Sequence, residues 1–143
     1  MLQNNILFHS EDISFTLKSE IQTSNWLVNL VECHKKQVGV LNYVFCSDDY
    51  LLKMNQEYLN HDYFTDIITF DYCEKDVISG DLFISIDRIN ENAKTFGKTQ
   101  INELNRVIAH GLLHLLGFKD KTPKDIVEMR SMEEEALNML TGN

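Results

Sequence analysis

The sequence predicts an α+β domain, a mixed sheet of about four strands covered by helices, one of them long and apolar. Three observations carry this. Short β-branched and aromatic runs alternate with helical patterns in the first two thirds of the chain. The last third is helical almost throughout. The most apolar helical stretch carries two histidines four residues apart, His110 and His114.

Each element has its own signal. Residues 13–17 alternate apolar and polar, which predicts a half-buried strand. Ile21, Trp26, Leu27, Leu30 and Val31 fall near helical spacing, so a helix follows to about His34. Residues 38–46 are rich in β-branched and aromatic side chains and predict a second strand. Ser47 before Asp48 and Asp49 is an N-cap with acids in the first turn. The helix it opens carries Leu51, Leu52, Met54 and Tyr58, and residues 60–65 form a polar, aromatic loop. Residues 67–70 and 82–86 predict two more strands, joined by an acidic loop ending in Gly80 and Asp81. Asp87 is the expected cap of a helix to Phe96, with Gly97 just past its end. A helix over residues 100–116 presents Ile101, Leu104, Ile108, Leu112 and Leu115, and Gly117 stops it. Thr122, Pro123 and Asp125 stand as cap, N1 and N3 of the last helix, a capping box with Asp in place of Glu.

Composition narrows the class. A chain of 143 residues, 43% of them hydrophobic, suits one domain over residues 1–143 with its own core. No run approaches the roughly 20 apolar residues of a membrane span, and no signal peptide is visible; no membrane partner is expected, and the scattered, odd-numbered cysteines fit a reducing cytoplasm. Cys33, Cys46 and Cys73 are odd in number and far apart. Each is expected to be a small buried apolar residue rather than half of a disulfide. The net charge of −9 opposes phosphate, but residues 87–124 hold seven bases against four acids, a local +3 that leaves −12 elsewhere.

That basic stretch contains the chemistry. His110 and His114 project from one helix face one turn apart, a spacing that suits two ligands of one ion. Gly117 can turn the chain back, so that Asp120 reaches the same ion as a third ligand. The register H-x-x-x-H-x-x-G-x-x-D parallels the metzincin pattern, with a carboxylate in place of the third His. Gly111 stands where the zinc peptidases place their general-base Glu. Arg106 lies one turn before His110 and is a candidate to meet phosphate, with Glu103 or Asn102 as alternative partners. Lys119 and Lys121 bracket Asp120, with phosphate contact and simple solvent exposure as the two readings. His9, His34 and His61 are isolated and read as surface residues.

The stretch resembles the YbeY family signature, roughly H-G-x-L-H-L-x-G-Y-D-H. His110, Gly111, Leu113, His114, Leu115 and Gly117 match it, with Phe118 for Tyr, Lys119 for Asp and Asp120 for the third His. Met54, Asn55 and Tyr58, then Thr65-Asp66-Ile67-Ile68-Thr69-Phe70, resemble the family's L-N-x-x-Y-R and T-D-V-L-S-F blocks, and Gly80-Asp81-Leu82 its G-D-I. Leu59 stands at the position of the usual Arg and Asp71 at that of a usual Pro.

The resemblance implies a metal-dependent endoribonuclease that cuts single-stranded RNA, matures the 3′ end of small-subunit ribosomal RNA and serves ribosome quality control. It implies one zinc ion per chain held by His110, His114 and Asp120, with catalysis through water on that ion. Ribosomal RNA and the small ribosomal subunit are then the partners, and DNA is not; Arg106, Lys119 and Lys121 are the RNA-binding candidates. It also places Asp66 and Asp81 near the cleft. A zinc peptidase of metzincin-like architecture, and a ribosome-associated RNA-binding protein with a structural metal, are the competing readings.

Overall fold

The computed structural model describes residues 5–141. Among them are four strands, β1 (Ile6–Ser10), β2 (Gln37–Cys46), β3 (Ile67–Asp71) and β4 (Val77–Ser85), in one sheet of order β1-β2-β4-β3. β1 and β4 run parallel to β2, and β3 is antiparallel to β4. The helices are α1 (Glu20–Cys33), α2 (Asp48–Tyr58), α3 (Ile86–Phe96), α4 (Gln100–Leu115) and α5 (Pro123–Thr141). Parallel neighbours need a crossover. α1 makes the one from β1 to β2, while α2 and β3 lie between β2 and β4.

Strand alternation divides the core. Leu41, Tyr43 and Phe45 of β2, with Ile78, Leu82 and Ile84 of β4, join Leu27 and Leu30 of α1 and Leu104, Ile108 and Leu112 of α4 in the main cluster. The second cluster is small: Cys46, Leu51 and Ile68, flanked by Tyr50, Met54, Phe70 and Phe83. α4 is the helix most firmly set. Leu104, Val107, Ile108, Leu112, Leu113 and Leu115 are all buried, and full burial of such side chains is worth about 1.5–3 kcal/mol each.

Gly111 explains how close α4 lies to the sheet. A Cβ there would stand 2.6 Å from both Ile67 Cδ1 and Leu82 Cδ2. A larger residue would have to push helix and sheet apart. The position where zinc peptidases carry Glu therefore faces β3 and β4, and has no room for a carboxylate.

The structure corrects several boundaries. Residues 13–17 are not a strand. Their alternation is real, since Leu17 is buried and Ile13 and Phe15 pack on the core, but the edge of β2 is already taken by β1. β1 escapes the pattern because it is an edge strand with only Ile6 buried. β4 begins at Val77 within the expected acidic loop. Gly80 lies inside the strand, where a Cβ would meet the Phe70 carbonyl oxygen at 2.5 Å. Ser85 rather than Asp87 caps α3, accepting from the Arg88 backbone N–H at 3.1 Å. Asp87 instead accepts from the Asp48 backbone N–H at 2.8 Å. Cys46 is buried, but Cys73 is half-buried and Cys33, at the end of α1, is exposed; all three are free.

Other local expectations stand. Ser47 caps α2 by accepting from the Tyr50 N–H at 3.1 Å. Gly97 ends α3 with φ 67°, and Gly117 turns the chain after α4 with φ 108°. Thr122 Oγ1 accepts from the Asp125 N–H at 3.0 Å, and Asp125 Oδ2 accepts from the Thr122 N–H at 3.4 Å, the reciprocal bonds of a capping box.

Candidate metal centre

α4 and the turn after it bring His110, His114 and Asp120 together. One oxygen, Asp120 Oδ2, lies 3.3 Å from Nε2 of His110 and 3.3 Å from Nε2 of His114. One ligand atom from each residue falls within 4.8 Å of the others. Two ligands bound tetrahedrally at about 2.0–2.1 Å lie roughly 3.3–3.4 Å apart. Two imidazole nitrogens and a carboxylate oxygen thus fit one divalent ion in chemistry and in spacing. Among the described residues no fourth His, Cys, Asp or Glu joins the group. A closed four-ligand shell therefore gains no support.

His110 is oriented from behind. Its Nδ1 donates to Glu133 Oε2 at 2.6 Å, which leaves the Nε2 lone pair facing Asp120. Glu133 comes from α5 and its side chain is 2% exposed. Burial pushes the Glu133 carboxyl up, but the His110 hydrogen bond and the Arg106 charge outweigh it and hold it below its ordinary range.

Arg106 completes the support. Its Nε and Nη2 bind Glu103 at 3.0 and 2.7 Å, Nη1 binds Glu133 at 3.1 Å, and Asp66 lies 3.9 Å from Nη2. The paired bonds to Glu103 raise its pKa further, against the effect of burial. Of its expected partners it takes Glu103, so its guanidinium stands behind the site, bound to carboxylates. Glu103 is itself buried and also accepts from Asn92 Nδ2 at 3.4 Å.

The three candidate ligands line a cleft of about 580 Å³. Its far wall is β3 with its approach: Leu59, Thr65, Asp66 and Thr69. Burial raises the Asp66 carboxyl pKa, partly offset by Arg106 and His110. Asn55 shapes this wall by donating from Nδ2 to the Tyr63 carbonyl at 2.8 Å. Lys121 also lines the cleft, and Lys119 is exposed on the same turn. Asp81 does not line it. It sits mid-strand and accepts from Asn42 Nδ2 at 3.1 Å.

The basic stretch is less basic in three dimensions. Arg88 pairs with Asp48, and Arg106 with Glu133, both acids from outside the stretch. Glu133 is the important residue that the sequence reading passed over. In the sequence it is one of three consecutive acids, Glu133, Glu134 and Glu135. A signal was present, because Met129, Glu133 and Ala136 share helical spacing and all are buried.

A histidine pair on a buried helix, a carboxylate after a glycine turn and an open cleft make a hydrolase-type site that could hold a metal ion. The family model described as "Endoribonuclease YbeY" matches residues 5–141, and the chain belongs to that family. Proteins of that name from Porphyromonas gingivalis and Cytophaga hutchinsonii are both 48% identical to it. The first match covers 94% of this chain and 89% of that protein, the second 97% and 98%. The solution structure of TM1509 from Thermotoga maritima superposes with TM-score 0.68 at 27% identity, covering 96% of this chain and 89% of that one. The peptidase reading finds no support in these matches. Among the described residues no helix is long and apolar enough to cross a membrane.

Proposed function

We propose that the protein is a metal-dependent endoribonuclease acting on single-stranded RNA, with ribosomal RNA of the small subunit as its substrate and maturation of the 3′ end as its task. The observation that carries the chemistry is the single Asp120 oxygen 3.3 Å from both histidine Nε2 atoms, at the floor of an open cleft. The family membership supplies the substrate class.

His110, His114 and Asp120 would hold one zinc ion. When bound, the ion supplies Lewis acidity toward a phosphoryl oxygen and makes water more acidic. The chain's own groups do the rest. Glu133 keeps the His110 Nδ1 protonated and its Nε2 free for the ion. Arg106 holds Glu133 ionised and in place. Two further carboxylates line the cleft, Asp66 and Asp71; Asp71 accepts from the Cys73 backbone N–H at 2.8 Å, and Asp66, beside Arg106 and with a raised pKa, is the proton carrier suited to exchange with an attacking or leaving hydroxyl. Lys121 and Lys119 stand at the rim for phosphate. An accessible strand reaches the cleft floor more readily than a duplex.

The test is an Asp120 series read by metal analysis and RNA cleavage. Asp120→Ala leaves two ligands and loses the ion together with cleavage. Asp120→Asn binds it more weakly than the parent, and Asp120→His retains it. Full metal content in Asp120→Ala, or undiminished cleavage by metal-depleted protein, overturns the proposal. Asp66→Asn keeps the metal and loses turnover if Asp66 moves the proton.

A further inference from the structure

The metal-site cleft does not end at the metal site. A second hollow of about 300 Å³ shares Asp66, His110 and Asp120 with it and opens on the other side of the candidate ligands, against α5. That hollow in turn shares Arg106, Arg130 and Glu133 with a groove of about 490 Å³ between α4 and α5. The three form one track, from the β3 wall across the candidate ligands and out along the paired helices.

The groove is polar. Asn102, Asn105 and Asn138 line it, with Lys98 and Glu134. Each asparagine amide offers donors and an acceptor, the pair of functions a ribose 2′-hydroxyl also presents. Arg106 and Glu133 neutralise one another at its floor. Arg130 differs from Arg106. It is exposed, it lines both the groove and the hollow beside His110, and among the described residues no carboxylate makes an ion pair with it. Arg106 is bound on three sides by acids, so Arg130 is the arginine left for an incoming phosphate. Leu59, on the opposite wall, offers no charge.

We propose that the α4–α5 groove is an RNA subsite, taking the nucleotides on one side of the scissile phosphodiester, with Arg130 as the positioning residue at its mouth. This rests on the endoribonuclease reading for the identity of the ligand. A planar guanidinium binds a phosphate through two parallel N–H bonds, which fixes the strand's direction as it leaves the cleft. Lys98 supplies the next cation along the groove, and the asparagines contact sugar and base edges. Glu134 works against binding and limits residence of the product strand.

The experiment measures binding of a fluorescent single-stranded RNA to the full chain in chelator, where no cleavage occurs, as a function of salt. Each lost phosphate contact lowers the slope of log K against log salt by about 0.7, which is roughly five-fold in affinity at 0.1 M salt. Arg130→Gln and Lys98→Gln should each show this loss. Glu134→Gln should tighten binding. Lys36→Gln, an equal charge change at a lysine paired with Asp76 away from the track, should do neither. With metal restored, Arg130→Gln should raise KM more than it lowers kcat, and an RNA shortened on one side of the cut should no longer distinguish the variant from the parent. Unchanged slopes in Arg130→Gln and Lys98→Gln, or equal losses in Lys36→Gln, overturn the subsite even if the parent cleaves RNA. Failure of the parent to cleave overturns the nuclease reading, while the binding slopes still decide whether the groove takes RNA.

Discussion

The two walls of the metal-site cleft are built differently. One is α4 backed by α5, with the main core beneath it and a chain of hydrogen-bonded side chains, Glu103, Arg106, Glu133 and His110, behind it. The other is the segment from Leu59 into β3, resting on the small cluster around Leu51 and Ile68. The candidate ligands stand on the first wall and on the turn leaving it. A metal site needs donors fixed to within a fraction of an ångström, and only the heavily packed wall supplies that.

The sharpest way to break this contrast is to remove Glu133. Glu133→Ala leaves Arg106 and His110 without their buried partner, and such losses cost about 3–5 kcal/mol. Urea unfolding should show it, and metal affinity should fall as well. Glu133→Gln keeps the shape and should cost less stability, while metal affinity still falls by about 10–100-fold. If metal affinity is unchanged in both, the charge chain does not orient His110.

Gly111→Val attacks the same wall from the sheet side. Its side chain would enter space already filled by Ile67 and Leu82. Overpacking of this kind costs about 1–3 kcal/mol, and displacing α4 should weaken metal binding too. A stable variant with full metal content would show that α4 can lie farther from the sheet without harm to the site.

On the lighter wall, Leu51→Ala empties part of the small cluster beneath α2. Large-to-small changes of buried leucine cost about 2–5 kcal/mol, and the sparse surroundings place this one near the lower end. Its metal content should stay that of the parent, since no ligand touches the cluster. Loss of metal in Leu51→Ala would erase the distinction between the walls. The smallest effect belongs to the turn that joins them to α5. Thr122→Ala removes one half of the capping box and should cost about 1 kcal/mol in thermal unfolding.

The local signals proved legible in proportion to how local their physics is. Ser47, Gly97, Gly117 and the Thr122–Asp125 box were readable because a cap or a left-handed turn depends on a few adjacent residues. So was the convergence of His110, His114 and Asp120, because helix pitch and one glycine turn set it. The strand at residues 13–17 failed because alternation reports burial, and a strand also needs a partner edge.

The sequence by itself determined the α+β class, three of the four strands and three residues that could hold an ion. Tertiary structure alone decided that Glu133 stands behind His110, that Arg106 is spent on carboxylates, that Asp81 faces away from the cleft, and that Arg130 opens toward it. These are contacts between elements far apart in the chain. Their pairing follows from how helices settle on a sheet under close packing, and no spacing within one element encodes it.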